Sequence, residues 1–245
     1  MRPELYEELY TQEATHGWHV GKCRRVLGLI HRFGSSQRQR CLDVGCGTGG
    51  FLNRLSDEGF AVGMDHQAQA LQFCRARGNK RLVCSDLSRT PWPFKDAAFD
   101  VVTGLDVVEH VEDDAALVAE IHRVLKPGGI VVVNVPAFQW LWSYWDEWNG
   151  HKRRYTRFQL DQLMQKCGFV PKWSSYSDWL TLLAIAPLRW FKQRRVKKGL
   201  KVGSDNAPLP GWANFLLLQY EQFETFVSRW IRLPWGTSVT WVGVK

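Results

Sequence analysis

Residues 41–50 read Cys-Leu-Asp-Val-Gly-Cys-Gly-Thr-Gly-Gly, a short apolar run that breaks into four glycines. A strand ending in such a turn, with a helix after it, brings bare backbone against a ligand because glycine places no side chain in the way. Three carboxylates follow the same order along the chain. Asp43 lies two residues before the first glycine, Asp65 lies twenty after it, and Asp86 stands in Ser85-Asp86-Leu87. A carboxylate at the end of the second strand is placed to accept both hydroxyls of a ribose. One at the end of the third can accept from an adenine amino group. Each has a plainer alternative: Asp43 as a cap on local amides, Asp86 as an N-cap or turn residue. The three in sequence favour a nucleoside.

Gly45, Gly47 and Gly50 also fit the G-x-G-x-x-G spacing of dinucleotide-binding turns. Charge separates the two readings. A dinucleotide seats a pyrophosphate at this turn, where Asp43 would repel it. S-adenosylmethionine brings an ammonium and a sulfonium, which Asp43 favours.

Two further clusters could move a proton. Asp106, Glu109, His110 and Asp113 follow the fourth strand. His110 is a candidate base there. The same group could hold a divalent metal, but its spacing is not diagnostic, and no metal site is assigned. Glu112, Asp113 and Asp114 read as acids that suit the start of a helix. The second cluster is the aromatic connection 137–155. It leaves the carboxyl end of the fifth strand, where ligands lie in α/β sheets. Read as a lid, it offers His151, Asp146 or Glu147 as the base, with Trp140, Trp142 and Trp145 as a substrate pocket and Arg153 and Arg154 as an anion clamp. The alternative is a Trp-rich loop packed on the core.

The elements that must position these groups alternate. Helices are expected at 4–14 and 18–33, with a polar hinge at 34–40. Strands at 41–44, 60–65, 81–85, 99–105 and 130–135 are interleaved with helices from 50 to about 58, at 67–77 and at 112–125. Strands apolar on both faces imply a parallel sheet covered on both sides. Beyond 136 the pattern predicts helix 156–167, a strand near 169–176, a basic amphipathic helix at 178–198, a polar loop at 199–211, helix 212–232 and a last strand at 238–244. The two late strands are expected to add an antiparallel edge.

The segments LDVGCGTGG, VGMD, CSDL, FDVVTGLDVVEHVEDD and LKPGGIVVVNVP resemble those of the class I S-adenosylmethionine-dependent methyltransferases, in family order over residues 40–136. The resemblance implies an α/β, Rossmann-like, doubly wound sheet of seven strands, mostly parallel with a reversed last strand. N-terminal helices and a helical C-terminal insertion complete a single domain, with 1–39 as the N-terminal helices, 40–136 as the cofactor core and 137–245 as lid, insertion and last strands. It implies S-adenosylmethionine as cofactor, held at its methionine end by Asp43, Gly45, Cys46, Gly47 and Gly49. It implies ribose contacts at Asp65 and His66, adenine contacts at Asp86 and Leu87, and a methyl-donor site lined by Leu105 and Asp106. The GHKRRYT segment looks similar to bacterial members found with glycan- or lipid-modifying enzymes.

The chain has 245 residues and a net charge of +8, and the charge is lopsided. Residues 131–245 hold 16 Lys and Arg against seven acidic residues, and 11 of the 13 tryptophans. The second half therefore meets the acceptor or a partner surface. The opening residues show no secretory signal, no run approaches a spanning length, and the six cysteines form no C-x-x-C pair. A cytoplasmic protein is expected. Cations from Arg189 to Lys201 follow Trp179, Leu182, Leu183 and Ile185, a pattern that suits peripheral contact with an anionic membrane through 178–201; a solvated helix face is the alternative. Nucleic acid is disfavoured because no RNA-binding module and no base-methylation motif follows the fourth strand. The expectation is methyl transfer to a small or amphiphilic acceptor, at oxygen. An RNA methyltransferase, an NAD(P)-dependent oxidoreductase and a silent cofactor-binding protein stand as alternatives. Asp43 and the lack of a Tyr-x-x-x-Lys pair count against the oxidoreductase.

Overall fold

A computed structural model of the chain describes residues 4–35 and 39–245. The centre of the expected 34–40 hinge lies outside the described residues. Two helices come first, α1 (Glu4–Gln12) and α2 (Gly17–Phe33). The alternating core follows: β1 (Gln39–Val44), α3 (Gly50–Glu58), β2 (Gly59–Asp65), α4 (Ala68–Ala76), β3 (Leu82–Cys84), β4 (Phe99–Leu105), α5 (Asp114–Val124) and β5 (Leu125–Pro136). The last part contains α6 (Tyr144–Asn149), α7 (Arg157–Lys166), β6 (Val170–Ser177), α8 (Thr181–Lys197), α9 (Gly211–Val227) and β7 (Ser238–Val244).

The seven strands form one sheet in the order β3-β2-β1-β4-β5-β7-β6. The first five pair in parallel, and β7 runs antiparallel to both β5 and β6. The reversed strand is therefore internal, and β6 forms the edge. The chain leaves β1 toward β2 and β3, then returns to place β4 on the other side of β1. This reversal opens a crevice at the carboxyl ends of β1 and β4, where Gly45 and Asp106 begin their loops.

Alternate strand residues face the two covering layers. Leu42, Val102, Val131 and Val133 pack with Leu117 and Ile121 of α5 and with Leu160 and Met164 of α7. Cys41, Ala61, Val101 and Val132 pack with Val26 and Ile30 of α2 and with Leu52 and Leu55 of α3. So α2 is part of the covering layer and does not stand apart from it.

Three expectations change. Lys126–Gly129, which lies between the expected helix 112–125 and strand 130–135, is absorbed into β5, whose pairing with β4 slips between Phe99 and Val101, so that Leu125 faces Phe99 and Ile130 faces Val101. The aromatic connection is not irregular throughout: Ser143 caps α6 in a reciprocal capping box with Asp146. The basic helix is not amphipathic in cross-section. Its apolar residues occupy the first half of α8 and its cations the second, with Pro187 inside the helix.

Candidate active site

The turn after β1 holds Gly45, Gly47 and Gly49 at φ of +69°, +53° and +87°, a region that suits glycine. A Cβ on Gly47 would meet only Leu9, at 3.6 Å, so the backbone there stays approachable. The crevice beside it is a cavity of about 740 Å³, within the usual size range of small-molecule sites. Gly45, Cys46 and Gly47 line it, as do Asp43, Asp65, His66, Asp86, Leu87, Leu105 and Asp106. Gly49 does not. It starts α3 in a left-handed conformation, and a Cβ there would press on Cys74 Sγ and Asn79 Nδ2 at 2.9 Å. Its role is the shape of the turn.

The Asp43 carboxylate is buried and accepts from the Thr103 hydroxyl at 2.7 Å. Burial pushes its pKa up to about 7; the Thr103 bond opposes this, and the nearby Asp65 and Glu13 charges reinforce it. Asp65 is buried and accepts from the backbone N–H groups of Gly47 at 3.0 Å and Gln67 at 2.9 Å, and so ties the turn to the end of β2. His66 sits at the rim, and its bond to Asp65 outweighs burial to raise its pKa. Asp86 has one oxygen on the Ser88 amide and hydroxyl, at 3.0 and 2.7 Å, and the other 3.3 Å from Arg89. The turn-forming alternative therefore describes part of what Asp86 does.

The N-terminal helices bring Tyr6, Glu13, Trp18 and Lys22 to the same cavity, which the sequence reading missed. Lys22 pairs with Asp106 and lies 4.1 Å from the Trp18 ring centroid. Asp106, at φ +54°, also accepts from Asn134 Nδ2 at 2.7 Å. Burial alone would lower the Lys22 pKa; the Asp106 charge more than offsets it and raises it. The signal available in the sequence was a lysine among the apolar residues of α2. Glu13 accepts from Thr48 and pairs with Arg77 at 2.8 Å, which clamps the glycine turn from outside.

The cavity wall also carries Glu109 and His110 of a 3-10 turn, Val108–His110, with His151 from the loop after α6. Lys152 N–H donates to the Glu109 carbonyl at 2.7 Å, which fastens this loop over the turn. The His110 and His151 rings meet edge to face with centroids 4.8 Å apart. Glu109 is fully buried, and neither of its carboxylate oxygens has a hydrogen-bond partner. Burial and the Asp106 charge push its pKa well above the usual carboxylate range. Burial, with His151 beside it, pushes His110 down to about 3.

Several residues expected in the site serve it from behind or lie elsewhere. Asp146 does not line the cavity: it accepts from His151 Nδ1 at 2.8 Å, from Arg154 Nε and Nη2 at 2.7 and 3.0 Å, and from the Ser143 amide at 2.8 Å. Burial would raise its pKa, but the His151 and Arg154 contacts hold it down at about 2. It is a positioning residue, too weakly basic to take a proton. Arg154 reaches the cavity wall with its charge already committed to Asp146, so it is not a free anion clamp. Arg153 pairs with Asp114 at 2.9 Å, outside the cavity. Trp145 lines the cavity, whereas Trp140 is 66% exposed and Trp142 is half-buried away from it. Asp113 caps α5 by accepting from the Ala116 amide at 2.9 Å. Apolar residues of the insertion also line the cavity, with Ile185 and Leu188 of α8, Leu209, and Leu217 of α9, beside the polar Arg189, Asp205 and Asn206.

A seven-stranded sheet of this order with an acid-lined glycine turn defines a class, and comparison with known proteins agrees with it. Residues 42–133 match the family model described as a methyltransferase domain. Residues 42–133 thus carry a methyltransferase domain, and the fold around them is that of S-adenosylmethionine-dependent methyltransferases. It is 31% identical over 149 residues to a malonyl-[acyl-carrier protein] O-methyltransferase of Serratia marcescens, covering 58% of this chain and 56% of that protein. It is 31% identical over 116 residues to phosphoethanolamine N-methyltransferase 2 of Caenorhabditis elegans, covering 44% of this chain and 26% of that protein. The chain thus spans about half or less of these curated relatives. In fold it is similar to an S-adenosylmethionine-dependent methyltransferase from Thermotoga maritima, with a TM-score of 0.63 at 17% identity over 99% of this chain and 95% of that one.

Proposed function

We propose that the chain transfers a methyl group from S-adenosylmethionine to a small or amphiphilic acceptor, at oxygen. One observation carries this reading: a single cavity is lined both by the acids and bare backbone of the glycine turn and by His110, His151 and apolar residues of α8 and α9. The donor set at the glycine turn fits a cationic nucleoside, since Asp43, Asp65 and Asp86 line the cavity. Asp43 and the backbone of Gly45, Cys46 and Gly47 hold the methionine end. Asp65 and His66 take the ribose, and Asp86 and Leu87 take the adenine. Leu105 and Asp106 flank the reacting carbon.

When bound, the cofactor supplies an activated methyl on a sulfonium. The protein's task is to align the acceptor and exclude water, and such positioning can supply about 7–11 kcal/mol. An oxygen acceptor must also lose a proton, and the Glu109–His110–His151 cluster stands where that proton leaves.

An amphiphilic acceptor is supported by the outside of the insertion. Along α9, Trp212, Phe215, Leu216, Phe223 and Phe226 are exposed and fall on one face at helical spacing. Trp190 and Phe191 of α8 are exposed as well, and Arg194, Arg195, Lys197, Lys198 and Lys201 follow them. Aromatic rings beside clustered cations match the chemistry of an anionic bilayer surface. Among the described residues no helix is long and apolar enough to cross a membrane. The reading is that the protein docks peripherally on an anionic membrane surface, with its acceptor drawn from that surface. Membrane lipid extract incubated with the protein and methyl-labelled S-adenosylmethionine tests the proposal. A labelled, extractable lipid or lipid-linked product is expected. Label that appears only in RNA, or in no product, overturns it.

A further inference from the structure

We infer that Glu109, His110 and His151 form a binding site for a first-row divalent cation on the acceptor side of the cavity. One ligand atom from each lies within 4.8 Å of the others. Asp146 can only accept from His151 Nδ1, 2.8 Å away, so that nitrogen carries the hydrogen and Nε2 presents a lone pair. Nε2 lies 3.9 Å from Glu109 Oε1. The His110 ring meets the His151 ring edge to face and brings one of its nitrogens into the cluster. Both carboxylate oxygens of Glu109 are buried and have no donor. Lone pairs from two imidazoles thus face a carboxyl group whose oxygens no other donor reaches.

A cation is the partner that satisfies all three. Metal-binding histidines are typically held by a carboxylate or backbone group on the far ring nitrogen, which is what Asp146 supplies for His151 here. Two imidazoles and one carboxylate suit Mn²⁺, Fe²⁺, Co²⁺ or Zn²⁺ better than Ca²⁺ or Mg²⁺, and three protein ligands leave positions open. Metal bonds of about 2.0–2.2 Å require the ligand atoms to draw closer. Small rotations of His151 and Glu109 suffice, since Lys152 already ties the two segments together.

The role of the cation rests on the methyl-transfer proposal; its binding does not. An acceptor hydroxyl bound at an open position releases its proton to solvent more readily. The oxygen's electron pair then forms the bond to the methyl carbon. The carbon–sulfur bond breaks with its pair to sulfur, and neutral S-adenosylhomocysteine leaves.

Calorimetric titration of chelator-treated protein with Mn²⁺, alongside the visible spectrum with Co²⁺, tests the site. One Mn²⁺ per chain is expected, together with Co²⁺ bands that are lost in His151→Gln. Glu109→Gln and His151→Gln should each weaken Mn²⁺ by tenfold or more, and Asp146→Asn by about 10–100-fold. S-adenosylmethionine affinity, titrated in parallel, should not move. Circular dichroism checks folding; if Glu109→Gln does not fold, His151→Gln carries the test. No saturable Mn²⁺ binding, or undiminished binding in the folded variants, overturns the site. Protein that binds S-adenosylmethionine without Mn²⁺ rejects the cation and leaves methyl transfer standing. Protein that binds Mn²⁺ without S-adenosylmethionine does the reverse.

Discussion

His151 Nδ1 lies 2.8 Å from Asp146 Oδ1, and this contact fixes which ring nitrogen His151 turns toward Glu109 and the cavity. The same carboxylate grips Arg154 through both oxygens and closes the capping box of α6. One buried acid therefore sets the start of a helix, a buried guanidinium and the orientation of an imidazole. Replacing His151 with Asn should lower kcat by about 10²–10⁴-fold, the usual worth of a group that handles a proton. The KM for S-adenosylmethionine should stay unchanged, because His151 faces the acceptor. Steady-state kinetics on the labelled acceptor give both numbers. A shift in that KM with kcat intact would move His151 to the wrong side of the cavity.

Asp43 makes cofactor affinity depend on pH. Its carboxyl, raised to about 7 by burial, is protonated in the free protein below that pH. A cationic ligand favours the carboxylate, so binding below pH 7 must expel a proton. Affinity should fall about tenfold for each pH unit below 7 and level off above it. Titrations in buffers of different ionisation enthalpy should show proton release at pH 6 and none at pH 8.5. The same shift has the opposite consequence for folding. In the unfolded chain Asp43 ionises near 3.8, so its contribution to stability falls as pH rises from about 4 to 7. Saturating S-adenosylmethionine should flatten that decline, measured by urea denaturation across the range.

Asp65 is tested by removing its oxygens. Asp65→Ala should weaken S-adenosylmethionine by about 1–3 kcal/mol, the cost of leaving buried hydroxyls unpaired. Part of that loss would come from freeing the Gly47 amide, now held at 3.0 Å. Adenine binding without ribose separates the two causes: it should change little if the lost contact is to the sugar. Unchanged cofactor affinity would reject the ribose assignment.

Arg25 joins α2 to the insertion. Its guanidinium is buried against Glu224 at 2.8 Å, Asp178 at 3.3 Å and Glu221 at 3.6 Å. The helices cross closely because Gly21 has no side chain; a Cβ there would fall 2.5 Å from Glu221 Cβ. Arg25→Met leaves three buried acids without their cation and should cost about 3–5 kcal/mol of stability. Because α8 and α9 also wall the cavity, methyl transfer should be lost before cofactor binding as urea is raised. Coincident loss of both would mean that the insertion and the core unfold as one unit.

What could be read in advance follows the range of the interactions involved. β4 and β7 are found at their expected bounds, Phe99–Leu105 and Ser238–Val244, because runs buried on both faces carry their own pattern. The acid-lined turn was legible because its chemistry is local: a strand end, glycines and three carboxylates in order. Lys22 and Trp18 were not, since Lys22 reaches Asp106 across the fold from α2 with Trp18 beside it, and helical spacing marks α2 only as a layer. Trp140, Trp142 and Arg153 share a segment with Trp145 and His151, but α6 and its cap turn them away from the cavity. Nothing in composition distinguishes the tryptophan that lines a cavity from its neighbours. The unpaired state of Glu109 depends on the loop at 149–152 folding back over it, which only the assembled chain shows.

The face of α9 bears on where the acceptor is met. Phe215 and Phe223 are 60% and 57% exposed, whereas Glu221 and Glu224 on the opposite face are buried against Arg25. The helix is thus anchored on its polar side and bare on its aromatic side, the reverse of an ordinary surface helix. Exchanging both phenylalanines for serine removes apolar area without touching the anchor, so stability and cofactor binding should hold. Flotation with vesicles containing anionic lipid should then lose most of the bound protein. Exchanging Arg194, Arg195 and Lys197 for glutamine should weaken binding by about 1 kcal/mol per cation near the surface, and only at low salt. Two separable losses, one sensitive to salt and one not, are the signature of a helix seated among headgroups with cations beside it. Wild-type protein that stays with the buffer at low ionic strength would sever the link between this surface and the acceptor.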